Sequence, residues 1–169
     1  MATGIFADTG EYGTPENVYG APSAWRYDRM TRVREVMSTC VVSVRRDEDV
    51  YEAIRVMALH EITGLPVTNE DGTLAGIITE KDVLSLLYNM TDRPGVVQDF
   101  MTTEVVSFDQ ETDLSEVVQA LQTSHFRRVP ILDKGRLVGI ISRRDIIRHI
   151  RTLKQEDRVL RDSFLELVF

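Results

Sequence analysis

The chain of 169 residues is poor in the groups that most often carry metal, redox or nucleophilic chemistry. It has one cysteine, three histidines and one tryptophan. The lone Cys40 cannot close an intrachain disulfide, which points to a reducing, cytoplasmic setting, and its place in an apolar run reads as a small buried residue. His60, His125 and His149 stand in unrelated contexts without metal-ligand spacing and read as surface or cleft-edge residues. The first residues lack the basic flank and apolar core of a secretory leader. No apolar run approaches the roughly 20 residues that a membrane span needs. A net charge of −7 argues against a general nucleic-acid binder. No nucleophile–base pair, metal cluster or Walker-type glycine loop stands out, so nothing points to an enzyme.

What is present is an internal repeat. Gly76-Ile77-Ile78-Thr79-Glu80-Lys81-Asp82 returns as Gly139-Ile140-Ile141-Ser142-Arg143-Arg144-Asp145. Behind it, Met37, Val41-Val42-Ser43, Asp49, Glu52 and Pro66 match Met101, Val105-Val106-Ser107, Asp113, Glu116 and Pro130 at an offset of 64. After the turn the offset is 63, because the first copy has one extra turn residue. The boundaries are an irregular arm over 1–30, a first repeat over 31–90, a second over 97–150 and a charged, then apolar, helical tail over 151–169.

Each repeat reads as β-α-β-β-α, within an α/β (α+β) class. In the first, Cys40 to Val44 is an extended run. Asp49 and Glu52 have capping-box spacing before a helix with Val50, Ala53, Ile54 and Met57 on one face. Leu65 to Thr68 and Leu74 to Ile78 are strands around the turn Asn69-Glu70-Asp71-Gly72. A closing helix carries Val83, Leu84, Leu86 and Leu87. Thr91 to Gly95 is a polar break between the repeats. The arm is punctuated by glycine and proline. It is either a loose tail or a segment docking through Trp25, Tyr27 and Met30. In the tail, Leu160, Phe164, Leu167 and Val168 share a helical face, which packs either on its own domain or on a second subunit.

The paired Gly-Ile-Ile-Thr/Ser-x-x-Asp ends each follow an x-Leu/Val-Pro-Val/Ile strand, Gly64-Leu65-Pro66-Val67 and Arg128-Val129-Pro130-Ile131. On these features residues 31–150 resemble a tandem pair of cystathionine-β-synthase domains, a CBS pair or Bateman module standing alone. The resemblance implies repeats related by a pseudo-twofold axis, two clefts between them, adenosine-containing ligands in those clefts, and a stacked homodimer with Leu84, Leu87, Ile146 and Ile147 as candidate contacts. It implies a regulatory module that binds AMP, ADP or ATP, with or without magnesium, and signals to a protein target that the residues do not identify. The alternatives are a structural dimerisation module with empty clefts and binding of an S-adenosylmethionine-type ligand.

The candidate ligand-binding residues are Thr79, Asp82, Ser142 and Asp145, with Arg127, Arg128, Arg143 and Arg144. By the resemblance, Asp82 and Asp145 accept hydrogen bonds from ribose hydroxyls, and Thr79 and Ser142 sit beside sugar or phosphate. Without it, Thr79-x-x-Asp82 is also a plain capping box. The repeats differ in charge. Residues 31–94 hold 7 basic and 11 acidic groups, and residues 95–150 hold 7 and 8. Arg143 and Arg144 stand in a first helical turn, where the helix dipole disfavours cations. Without an anion they are expected to be mildly costly, and with Arg127 and Arg128 they could neutralise a phosphate chain. A solvated face paired with Asp133 and Glu104 is the plainer reading.

Overall fold

The computed structural model describes residues 31–87 and 95–168 and, within α4, side chains as far as Gln155. The expected arm over 1–30 and most of the break over 91–95 lie outside these residues.

The first repeat contains β1 (Val44–Arg45), α1 (Val50–His60), β2 (Gly64–Thr68), β3 (Leu74–Thr79) and α2 (Glu80–Val83), which runs into a 3-10 turn, Leu84–Leu87. The second contains β4 (Phe108–Asp109), α3 (Leu114–Thr123), β5 (Arg128–Asp133), β6 (Arg136–Ser142) and α4 (Arg143–Val168). Each forms a three-stranded sheet in chain order, its first pair parallel and its second antiparallel. The β-α-β-β-α order expected from the sequence is the order observed.

The strands β1 and β4 are two residues long for a local reason. Val44 lies opposite Val67, and Phe108 opposite Ile131. The next residue back on the neighbouring strand is Pro66 or Pro130, which has no N–H to donate. The extended run expected from Cys40 therefore contributes only Val44 to a strand. Residues 40–43 form a crossing segment instead, and Cys40 is exposed on it, not buried.

Asp49 and Asp113 do cap α1 and α3, accepting from the backbone N–H groups of Tyr51 and Ser115 at 2.8 Å each. Glu52 does not close the expected box. It pairs forward with Arg55, which holds its carboxyl below the usual range. The Ser115 hydroxyl, with its backbone N–H, does the same for Asp113.

The hydrophobic cores are exchanged at their edges. Val33, in a 3-10 turn at the head of the first repeat, is fully buried with Leu114, Val117, Ile131 and Ile141 of the second. Val97, in the matching turn Val97–Asp99, is fully buried with Val50, Leu65, Val67 and Ile78 of the first. Backbone bonds fix both insertions: Val33 N–H to Thr112 O at 3.0 Å, and Val97 N–H to Glu48 O at 2.9 Å. Burying each valine is worth about 1.5–3 kcal/mol.

The chain then crosses the other repeat's last strand. Ser38 and Ile140 exchange two backbone bonds of 2.9 Å, and Thr102 and Ile77 do so at 2.8 and 2.9 Å. The two hairpin turns also join, Leu74 N–H to Gly135 O and Leu137 N–H to Gly72 O, both at 3.0 Å. Gly72 and Gly135 hold φ of 81° and 82°, a region where a side chain would be strained.

The closing helices, expected to match, differ. Helix α2 has four residues and α4 has 26. Of the candidate dimer contacts, Ile146 is buried in the second core, while Leu84 and Ile147 are 63% and 65% exposed. The Leu87 side chain lies outside the described residues.

The crossings set an unequal demand on two glycines. A Cβ on Gly76 would stand 2.6 Å from the Thr102 carbonyl oxygen, whereas on Gly139 its three nearest neighbours would be atoms of the flexible Met37 side chain. Gly76→Ala is expected to destabilise by about 1–3 kcal/mol and Gly139→Ala by less. Urea unfolding of both variants checks the order, and equal losses would show that the Thr102 carbonyl yields.

Candidate functional site

Each Thr/Ser-x-x-Asp motif sits where an antiparallel strand runs straight into a helix. At the first, the Thr79 backbone N–H and hydroxyl both donate to Asp82 Oδ2, at 2.8 and 2.6 Å. At the second, the Ser142 N–H and hydroxyl donate to Asp145 Oδ2 at the same distances. The capping geometry is therefore real in both copies. It turns one carboxylate oxygen inward to hold the strand–helix corner. At Asp145 the other oxygen accepts from Arg148 at 3.2 Å. The Asp145 side chain is 12% exposed and Arg148 is 68% exposed. With Arg148 largely in solvent, such a pair is worth about 0–1 kcal/mol.

The residue ahead of each central strand lies against the same helix start. The Glu80 N–H donates to Thr63 O at 3.1 Å, and the Arg143 N–H to Arg127 O at 3.2 Å. In register, Gly64 faces Thr79 and Arg128 faces Ser142. These two pairs are compensated. A Cβ on Gly64 would lie 3.1 Å from the Thr79 methyl group. Ser142, opposite Arg128, has no methyl. The two corners thus share a backbone and differ in charge. Arg127, Arg128 and Arg144 occupy backbone positions next to the second, and Thr63, Gly64, Glu80 and Lys81 those next to the first.

Arg143 does not share the position expected of it. Its Nε donates to Leu121 O at 3.0 Å, and one terminal nitrogen donates to Ser124 O at 3.0 Å and Phe126 O at 3.4 Å. The guanidinium ties the C-terminal carbonyls of α3 to the start of α4. The expectation that the Arg143–Arg144 pair is mildly costly without an anion is therefore corrected for Arg143, because three acceptors offset the unfavourable dipole position. Neither Asp133 nor Glu104 forms a hydrogen bond or ion pair with Arg127, Arg128 or Arg144 among the described contacts.

The crossing segments were not legible in the sequence. The Ser38–Ile140 and Thr102–Ile77 bridges are antiparallel, so residues 39–43 lead back toward the start of β6 and residues 103–107 toward the start of β3, away from the corners. A cavity of about 320 Å³ lies along β3 toward the hairpin turn, lined by Thr73 to Gly76, Thr103, Val105, Ser107, Leu132 and Gly135. It touches none of the eight expected site residues, so the hydroxyl–carboxylate corners and this cavity are separate features. Among the described residues no cluster of His, Cys, Asp and Glu could hold a metal ion.

The CBS domain pattern matches residues 33–89 and 97–152. The chain belongs to the CBS domain family. Uncharacterized protein MJ1225 of Methanocaldococcus jannaschii is 34% identical over 69% of this chain, and the alignment spans only 41% of that relative. The solved structure of CBSX2 in complex with AMP is 27% identical, with a TM-score of 0.66, over 73% of this chain and 98% of the other. The CBS domain pair of MJ0100, in complex with 5-methylthioadenosine and S-adenosyl-L-methionine, is 26% identical, with a TM-score of 0.60, over 73% and 98%. This chain holds the two tandem CBS repeats expected from its sequence.

The roles of Arg143 and Arg144 separate in a stability measurement. Arg143→Ala is expected to lower ligand-free stability by about 1.5–3 kcal/mol, the range for hydrogen bonds from a charged group. Arg144→Ala is expected to stay within about 0.5 kcal/mol of the wild type, as an exposed substitution does. Chemical unfolding without nucleotide reads both, and equal effects would remove the carbonyl clamp as an explanation.

Proposed function

We propose that the chain is a regulatory module that binds an adenine nucleotide at the corner between β6 and α4. Asp145 would accept the ribose hydroxyls, and Arg127, Arg128 and Arg144 would face the phosphates. The observation that supports this reading is the Arg128–Ser142 register, which puts an arginine opposite the hydroxyl of a hydroxyl–carboxylate corner at a helix start. A carboxylate suits two adjacent hydroxyls because it accepts several hydrogen bonds. Arginines and a helix N-terminus suit phosphate. AMP and S-adenosylmethionine in similar CBS structures support an adenosine-containing ligand of this class.

The corner at Asp82 has the same hydroxyl and carboxylate but neither Arg128 nor Arg144. It is a weaker phosphate site, and an adenosyl ligand without phosphate, of the S-adenosylmethionine type, fits its charge better. A magnesium ion accompanying a phosphate chain belongs to the second corner, if anywhere. The reading includes a cytoplasmic, non-enzymatic homodimer, with Leu84 and Ile147 among the exposed apolar contacts, acting on a protein target. Among the described residues no helix is long and apolar enough to cross a membrane. One observation favours the scaffold alternative: both Asp145 oxygens are already engaged within the chain.

Calorimetry and melting curves with AMP, ADP and ATP decide between them. Asp145→Ala is expected to weaken nucleotide binding by about tenfold to a hundredfold, the equivalent of 1.5–3 kcal/mol, and Asp82→Ala by clearly less. Melting curves without ligand must accompany both, since loss of a capping acid alone costs about 0.5–2 kcal/mol. A wild-type protein whose melting temperature does not move in millimolar nucleotide would establish the scaffold reading instead.

A further inference from the structure

Helix α3 lacks the ending that α1 makes for itself. In α1 the chain leaves through Glu61 at a φ of 51°, and the N–H groups of Glu61 and Ile62 donate to the Ala58 and Met57 carbonyls at 3.4 and 3.0 Å. In α3 the chain leaves through an extended Ser124, whose N–H donates to Ala120 O at 3.1 Å. The Leu121 carbonyl, and those of Ser124 and Phe126 in the connection that follows, accept from the Arg143 guanidinium instead, at 3.0, 3.0 and 3.4 Å. The Arg143 N–H adds the Arg127 carbonyl at 3.2 Å. One residue at the head of α4 thus holds the connection 124–127 along its length, while Phe126 packs against the second core. A guanidinium suits this because its donors lie in a rigid planar fork.

What the connection delivers is charge. It ends in Arg127, and β5 opens with Arg128, opposite Ser142. The first repeat has the same backbone joint, Glu80 N–H to Thr63 O, but Thr63, Gly64 and Glu80 stand where the second has Arg127, Arg128 and Arg143. The clamp and the two arginines it carries occur together in one repeat and are absent together from the other. Backbone bonds suffice to end α1, so the joint itself does not require an arginine.

We infer that Arg143 is a positioning residue, an inference that rests on the nucleotide reading above. It sets Arg127 and Arg128 at the second corner, so that the site separates phosphorylated from unphosphorylated adenosine. The sugar contact does not pass through the connection, because Asp145 is held by Ser142 at the strand–helix corner itself. Releasing the connection therefore weakens the phosphate contact and spares the sugar contact. If the two arginines then face the phosphate for about a tenth of the time, apparent affinity falls about tenfold.

Calorimetry and amide hydrogen exchange on the full chain test it, in an Asp82→Ala background that leaves the second corner to be read alone. Arg143→Gln is expected to lower AMP affinity about tenfold and to leave adenosine affinity within about twofold, with exchange over residues 124–127 about tenfold faster. Arg143→Lys keeps the charge and lacks the fork, so its loss of AMP affinity is expected to match its loss of exchange protection. The lysine variant answers the same comparison where the glutamine variant does not fold, and titrations run well below each variant's ligand-free melting temperature. Unchanged exchange in Arg143→Gln, equal losses for AMP and adenosine, or an Arg143→Lys protein with wild-type AMP affinity and fast exchange would overturn the inference. AMP binding that Arg143→Gln leaves intact removes this inference alone. A wild-type protein that binds no AMP removes the nucleotide reading, and this inference with it.

Discussion

The exchange of two short turns holds this protein together. Val33 and Val97 each leave their own repeat and fill the core of the other. The path of the chain across each repeat's last strand follows from that choice. Once Val33 is seated, the chain must cross β6 at Ser38, and once Val97 is seated it must cross β3 at Thr102. The crossings lay residues of one repeat along the last strand of the other, on the hairpin side of its Thr/Ser–Asp corner. The glycines at 76 and 139 are the spatial counterpart, since the Thr102 carbonyl and Met101 occupy the space of a side chain at 76 and Met37 does so at 139.

Much of this was legible in the residues, and the limits are instructive. The repeat, both hairpins and both helix starts follow from local signals: glycine where φ is positive, Asp ahead of an apolar helical face, alternation into the Gly-Ile-Ile ends. The exchange was not legible, because a single valine in a three-residue turn has no periodicity to show which core it enters. Residues 40–43 read as strand on β propensity alone. Pro66 and Pro130 held the correcting information, since a missing donor on the central strand limits its parallel neighbour. Cys40 was misplaced with the same stretch.

At the site, types and positions were legible and individual duties were not. The second repeat's arginines stand out in any reading of charge. That Arg143 turns back to the carbonyls of Leu121, Ser124 and Phe126, while Arg144 does not, depends on where α3 ends in space. The exchange of Gly64 with Thr79 for Arg128 with Ser142 is visible only once the register pairs them. A methyl group crowds a Cβ at 64 in one repeat and is absent opposite Arg128 in the other. The Thr79-x-x-Asp82 pattern had two readings, cap or ligand contact. The geometry shows the cap in both copies, using one carboxylate oxygen each time, and at Asp145 the other oxygen accepts from Arg148.

The interlocked turns also impose an order on synthesis. A ribosome that has delivered only the first repeat has delivered a core without Val97 and a β3 without its Thr102 partner. That nascent unit presents apolar surface until the next dozen residues emerge. Its own first turn, Val33, then waits longer, since its socket is made by Leu114, Ile131 and Ile141. N-terminal units usually mature first during translation. Here the turn that leads the first repeat is among the last segments to find its place, and the two halves complete each other only when the second core has been made.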